Sequence, residues 1–436
     1  MQARSLVVVA VAWAAVAGCA QVWGIGDVPV PVDATTGDAL AEAAGKADAD
    51  AAPPDTTGAD TTAPDTTSAD APTIDSTLAD TSTPETSVPD TSTGDTSVLD
   101  TSLPDTSVAD APAEAAFDAG CPTDPCLMAS GLNHPAQVVS DDVSVYWIEF
   151  GTAFGSKDGT VKSCPVAGCG AGPTLLASAL LNPRGIVVDS TNVYFATATF
   201  TSNVPGAIWS CPLAGCNGSP TMLAPAGIPD GIAVDSTYVY WVDSDENTVN
   251  RVLKNGTSAV ALNDAASPGP GFNSPQYCVV DGVNVYVSDA NQSVVRLPIA
   301  GGAPPTVIAH GTGGDSPLAI DPSNIYYVAN GKICSAAKTS TDGGPVIAGG
   351  FAHLLGLTLD GDAGQLYWAD YGSGMANDGT VGKVGIDGGM FMLASMLATP
   401  ESVTVSGAHL FWVSNGTGVN GNQTDPNTGT LTRLAK

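Results

Sequence analysis

The chain has 436 residues, and its 44 Asp and Glu outnumber 13 Lys and Arg for a formal charge of −31. Nucleic-acid phosphates and anionic membranes are held by clustered Lys and Arg, so this balance argues against both as electrostatic partners. Composition divides the chain into residues 1–18, 19–118 and 119–436.

Residues 1–18 begin with a short basic start at Arg4 and continue in an apolar run, Leu6–Val16. About eleven apolar residues are too few to span a bilayer and suit the apolar core of an export signal. The run ends in Val16-Ala17-Gly18-Cys19, which resembles the lipobox of bacterial lipoproteins. The resemblance implies a signal peptide over 1–18 and an acylated Cys19 as the new N-terminus, inserted in a lipid bilayer. Ala20 rather than Asp follows, which implies the outer membrane of a Gram-negative cell. Several acyl chains anchor stably because each buried methylene contributes about 0.8 kcal/mol. The alternative is an ordinary secretory signal with an incidental Cys.

Residues 19–118 form an acidic linker rich in Asp, Thr, Ser, Pro and Ala. From Asp55 to Asp110 an acidic residue stands at every fifth position, and Lys46 is the segment's single basic residue. Such a composition cannot build a core, so disorder is expected. As a coil, about 85 residues span roughly 55 Å, and near full extension roughly 280 Å. The functional reading is a spacer; a repeat of unselected length is the alternative. Its Ser and Thr would also permit O-glycosylation.

From residue 119 onward one unit recurs. Gly231–Asp243, GIAVDSTYVYWVD, reads as strand, Asp-led turn, strand. The same Asp stands at positions 141, 189, 235, 281, 321 and 360, with Ser406 in a seventh copy. The spacing, about 40 to 48 residues, is that of four-stranded propeller blades. An aromatic, β-branched strand follows each, from Val145-Tyr146-Trp147 to Leu410-Phe411-Trp412. Third and fourth strands follow, such as Gly159–Cys164 and Pro173–Ser178. The expected fold is all-β, a seven-bladed β-propeller of four-stranded antiparallel blades. The seventh copy has no room for a fourth strand, and Pro125–Ser130 matches the fourth strands of copies one and two. The N-terminal strand is therefore expected to complete the last blade and remove the open sheet edges.

Tyr240-Trp241-Val242-Asp243 and Tyr367-Trp368-Ala369-Asp370 resemble the YWTD repeat of low-density-lipoprotein-receptor-like propellers. The Pro-led approach to the repeat Asp or Ser, present in five of the seven copies, is similar to that of NHL-type propellers. Both resemblances imply the propeller fold over roughly residues 120–436 and leave the ligand open.

Eight cysteines follow Cys19. Cys164 with Cys169, and Cys211 with Cys216, flank equivalent hairpin turns and are expected as disulfides, in keeping with export. Cys121 and Cys126 share the spacing and are a third candidate pair. Cys278 and Cys334 read as buried single thiols, or as a pair across adjacent blades. Zinc is the alternative for the Cys-x4-Cys pairs, but those pairs sit on outer strands that diverge.

Five residues before each repeat Asp or Ser stand Ala136, Arg184, Asp230, Gln276, Ser316, Leu355 and Glu401. Charge that varies at a fixed place on a scaffold marks a candidate ligand site at the channel mouth, although mouths are polar by default. Long second-to-third-strand loops in copies six, seven, one and two would raise a one-sided wall carrying Phe150, Phe154, Phe200, Tyr371 and Met375. Apolar side chains there suit a protein or glycan partner, or pack together to order the loops. His134 and His353 occupy equivalent positions and could hold a metal with Glu401, with unliganded histidines as the alternative. Asp243–Asn247 resembles the start of a calcium loop but lacks Gly at its sixth place, so it reads as an acidic turn. No nucleophile elbow, phosphate loop or dinucleotide fingerprint is present.

The sequence thus points first to a surface-tethered, non-enzymatic binding or scaffold module that uses no cofactor. The second reading is an extracytoplasmic metal-dependent hydrolase or lyase, of the lactonase kind, working at the channel mouth.

Overall fold

The computed structural model describes residues 124–153, 155–199, 205–263, 271–290, 293–312, 316–373, 377–416 and 427–436. The expected signal peptide, Cys19, the linker and Cys121 lie outside these residues, as do Phe154, Phe200 and Met375.

The local unit is set by its Asp. Asp141 Oδ1 accepts the N–H groups of Val143 (2.8 Å) and Ser144 (2.6 Å), and Oδ2 accepts the Tyr146 hydroxyl (3.0 Å). An Asp that caps its own backbone two and three residues on makes a tight turn between antiparallel strands. The same three bonds recur at Asp189 with Tyr194, Asp235 with Tyr240, Asp281 with Tyr286 and Asp321 with Tyr326. Blade six has a longer turn, and Asp360 there binds the Ala363 N–H and the Lys436 ammonium. Blade seven replaces both partners, with Ser406 for the acid and Phe411 for the phenol.

These units build seven four-stranded antiparallel sheets. In chain order they span residues 135–180, 183–226, 229–261, 275–310, 318–349, 354–397 and 400–435. The seventh takes its outermost strand, Cys126–Leu132, from the start of the domain, and it pairs antiparallel with Gly429–Ala435. The fold is the expected seven-bladed propeller, closed as expected.

The core lies between blades rather than within them. Second strands are buried over five consecutive positions, as in Ser144–Glu149, because both faces are covered. Successive side chains point to opposite faces. Tyr146 therefore packs toward blade two, and Trp147 toward blade seven. Among the described residues, one apolar cluster fills each of the seven junctions between neighbouring blades.

The scarce cations stitch neighbouring blades together. Lys254 reaches Asp189 (2.8 Å), Lys338 reaches Asp281 (3.0 Å) and Lys436 reaches Asp360. Arg251 donates to the Ile299 carbonyl, Arg296 to that of Lys338 (2.7 Å), and Arg433 to that of Val166 (2.9 Å). These six make up nearly half of the chain's 13 Lys and Arg. Their partners lie at the turns joining first to second and third to fourth strands.

Cys164–Cys169 and Cys211–Cys216 are disulfides, with Cα–Cα distances of 4.9 and 5.3 Å. Cys126 is disulfide-bonded, and its expected partner Cys121 is outside the described residues. Cys278 is a buried free thiol, with burial pushing its pKa up to about 12. Cys334 corrects the expectation of a second single thiol or of a Cys278–Cys334 pair, because it is itself disulfide-bonded while Cys278 is free.

Candidate functional site

The innermost strands pack side by side around the axis, each against its two neighbours. Their approach is close because glycine sits where a side chain would collide. A Cβ on Gly231 would lie 2.6 Å from the Gln276 carbonyl oxygen and 2.8 Å from the Tyr277 Cα. A Cβ on Gly185 would lie 2.6 Å from the Asp230 carbonyl oxygen.

This packing turns one register position into one site. Ala136, Arg184, Asp230, Gln276, Leu355 and Glu401 all line a single cavity of about 410 Å³, with Phe150 and Tyr277 on its wall. A narrower space of about 200 Å³ shares Gly231, Tyr277 and Leu355 with it and is lined by all seven innermost strands. Ser316, expected at the same rim, does not join it. Ser316 precedes Pro317 in a lead-in shifted by two residues, and its buried hydroxyl donates to the Val328 carbonyl (3.0 Å).

The polar groups of the cavity are arranged unevenly. Arg184 forms an ion pair with Asp230 of the next blade. Glu401, from blade seven, accepts a hydrogen bond from Asn415 Nδ2 (3.2 Å). Tyr371, expected on the wall beside Phe150, is not among the residues that line this cavity; it is half-buried, and burial together with the charges of Glu401 and Asp378 raises its pKa. Gln276 Oε1 is shielded from solvent and has no hydrogen-bond partner. Among the described residues, the lining holds Arg184, the carboxylates of Asp230 and Glu401, and the Gln276 oxygen.

Two sets of side chains hold the loops of this face. His134 Nδ1–H donates to the Gly151 carbonyl (2.7 Å), and His353 Nδ1–H to that of Gly372 (2.8 Å). Asn182 and Thr399 occupy the same place in their blades and donate to the Ala198 (3.1 Å) and Gly416 (3.2 Å) carbonyls. His134, Asn182 and Thr399 all have positive φ, from 42° to 50°. Each histidine is thus a loop latch within its own blade. Among the described residues, no three His, Cys, Asp or Glu side chains cluster as a metal site.

The second set went unrecognised in the sequence. Glu149, Asp243, Asp289 and Asp370 end their second strands, are buried, and accept backbone N–H groups from the loop entering the same blade. In the YWTD-like tetrapeptides the acid therefore has this structural duty. The available signal was position: all but Asp370 stand eight residues after their repeat Asp. Asp243 also caps the N–H groups of Asp245 and Glu246, in keeping with an acidic turn.

A seven-bladed β-propeller with a polar mouth on its axis is the class that this architecture defines. No protein-family model matches the chain. Among solved structures, the chain is similar to the WD40 β-propeller domain of Doa1, at 16% identity and a TM-score of 0.52, over 71% of this chain and 96% of that one. It is also similar to a chain of a Nidogen/Laminin complex, at 17% identity and a TM-score of 0.43, over 57% of this chain and 95% of that one. At such identities the likeness is one of fold.

Proposed function

We propose that the protein is a surface-tethered, non-enzymatic binding or scaffold module. Acylated Cys19 holds it in the cell envelope, at the outer membrane of a Gram-negative cell. The acidic linker carries the propeller away from the bilayer, and the mouth-bearing face takes a protein, peptide or glycan. The observation that carries this reading is the axial cavity, to which six blades contribute a side chain from the same register position. A scaffold whose repeats agree in their turns and cores but differ at the mouth suits recognition, with function placed on variable positions of a rigid frame.

Two measurements test it. Cross-linking and recovery of partners on intact cells should identify a ligand whose capture falls in an Arg184→Ala, Glu401→Ala double variant; equal capture by that variant overturns the assignment of the face. Cys19→Ala should move the protein from the membrane to the soluble fraction and abolish acyl labelling. Retained acyl labelling overturns the anchor alone.

A further inference from the structure

We infer that residues 113–118 dock in a groove between blades six and seven, with Phe117 against Phe391 and Asp118 toward Lys383; this goes beyond the binding-module reading and does not depend on it. The groove, of about 960 Å³, is lined by Tyr367, Lys383 and Phe391 of blade six and by Gly407 and Lys436 of blade seven. Tyr367, Lys383 and Phe391 stand opposite one another on the second, third and fourth strands of their blade. They form one row on the face turned to blade seven, where Tyr367 belongs to the shared apolar cluster. Phe391 is 62% exposed, with Met390 and Met392 beside it at 51% and 60%. Their strand, Gly388–Leu397, carries neither a charge nor a proline to guard its outer edge.

The same row in other blades shows what differs here. Arg251, Arg296 and Arg433 hold the place of Lys383 in blades three, four and seven. Each donates to a carbonyl on the turn joining the third and fourth strands of the next blade. In blade seven no such turn joins those strands, because the fourth, Cys126–Leu132, comes from the start of the domain. Among the described residues Lys383 forms no ion pair, and its ammonium lies 6.0 Å from the Tyr367 ring centroid. The chain placed to supply the missing cover is the one that leads into Cys126–Leu132. Asp124 Oδ1 accepts the Ala435 N–H (3.0 Å), one residue from Lys436 in the groove. Phe117 stands seven residues before Asp124, a reach of about 23 Å. It is the single aromatic residue between Trp23 and Cys121, and Asp118 follows it. The ring covers Phe391, and the carboxylate answers Lys383. Of the groove's own acids, Asp360 is paired with Lys436 and Asp362 is exposed to water. A tethered segment meets the groove at high effective concentration, whereas a second copy would set another charge of −31 against the first. The groove opens beside the turns between first and second strands, opposite the mouth, so the docked segment leaves the mouth uncovered.

The test uses the full chain. Hydrogen exchange read by mass spectrometry, corrected for intrinsic rates, should show the amides of residues 114–120 exchanging about tenfold or more slowly than those of residues 95–105. Phe117→Ser and Phe391→Ser should each abolish that protection. Lys383→Ala and Asp118→Asn should each reduce it about two- to fivefold. Met222→Ser, at an equally exposed site on the outermost strand of blade two, should leave it unchanged. Melting curves establish that each variant is folded. In a second measurement, p-benzoylphenylalanine in place of Phe117 should photo-cross-link within one chain to residues 390–392 or to Lys436. Absence of protection in the native chain, or protection indifferent to Phe391→Ser, overturns the inference. So do cross-links to other blades. Cross-links that join two chains and grow with protein concentration give the groove to a second copy and overturn it as well.

Discussion

Leu127 stands opposite Thr432 in antiparallel register, so the first strand of the propeller is hydrogen-bonded to its last. Met128 and Leu132 of that strand are buried in the cluster joining blades seven and one. Deleting residues 121–131 should expose the Gly429–Ala435 strand and break this junction. The expected result is loss of a single cooperative melt, or association through the open edge, read by calorimetry and light scattering. The milder Leu132→Ala should cost about 2–5 kcal/mol.

The pairing of phenol with acid varies within the chain in a way that suggests a cycle. Five blades join Tyr to Asp, whereas blade seven has Phe411 and Ser406 in the same places. A phenol kept from water needs an acceptor, and without the carboxylate a ring lacking the hydroxyl fits better. Tyr286→Phe should cost about 1–2 kcal/mol in the native chain. In an Asp281→Ser background it should cost near zero. Denaturant titration of the four proteins gives the coupling directly, and equal costs in both backgrounds would contradict the pairing.

The same sites fix a pH window. Burial opposes ionisation of Asp281, but the Asn284 N–H, the Lys338 ammonium, the Val283 N–H and the Tyr286 hydroxyl outweigh it and lower its pKa from 3.8 to about 2. A depressed folded pKa contributes stability above the unfolded value that disappears as pH falls through the folded one. Stability should therefore decline between pH 4 and 2, with about 1 kcal/mol from this site after allowance for solvent screening. Asp281→Asn should remove that part of the acid slope. At the other end, burial and the Asp281 charge raise the Tyr286 hydroxyl from 10.0 to about 12. A raised folded pKa gives stability present below pH 10 and lost as pH rises through 12. Unfolding curves measured from pH 2 to 12 locate both limbs.

Gly231 concentrates the close approach between blades three and four. The space its missing Cβ leaves is occupied by backbone atoms of Gln276 and Tyr277, which cannot swing away as a flexible side chain would. Gly231→Ala should cost about 1–3 kcal/mol or more. It should also part the two blades beside Gln276, so any ligand of the mouth should bind it more weakly than thermal melts alone explain.

What the sequence reveals depends on the reach of each interaction. The repeat Asp caps the backbone two and three residues away, so its signal is local, and blade count and strand order follow from it. The shared cavity was legible for a related reason: one register position recurs on strands packed around an axis, and in six of the seven copies its side chain lines that cavity. Ser316 was misplaced because its lead-in is two residues shorter after the proline, which changes the register silently. The blade-to-blade stitches were not legible. Lys254 and Asp189 are 65 residues apart in sequence, and an isolated Lys just past the end of a third strand looks like any solvated cation. The orphaned Gln276 oxygen is a property of packing alone. Acids such as Asp289 lay within reach of a position count but were masked by strands that look alike for their aromatic residues.

The latch at His134 separates a structural from a metal role in one substitution. Its Nδ1–H holds the Gly151 carbonyl at a backbone φ of 50°. Blade two does the same with Asn182, whose side-chain amide holds Ala198 at a φ of 42°. Asn tolerates this left-handed conformation and supplies a donor, whereas Ala does neither. His134→Asn should stay within about 0.5 kcal/mol of the native protein. His134→Ala should lose about 1–2 kcal/mol by leaving a buried carbonyl unmatched. A metal centre built on His134 and His353 would behave otherwise, since an Asn amide is a poor replacement for imidazole as a metal ligand. Loss of bound metal in His134→Asn with its stability intact would overturn the latch as the residue's role and restore the hydrolase or lyase reading of the mouth.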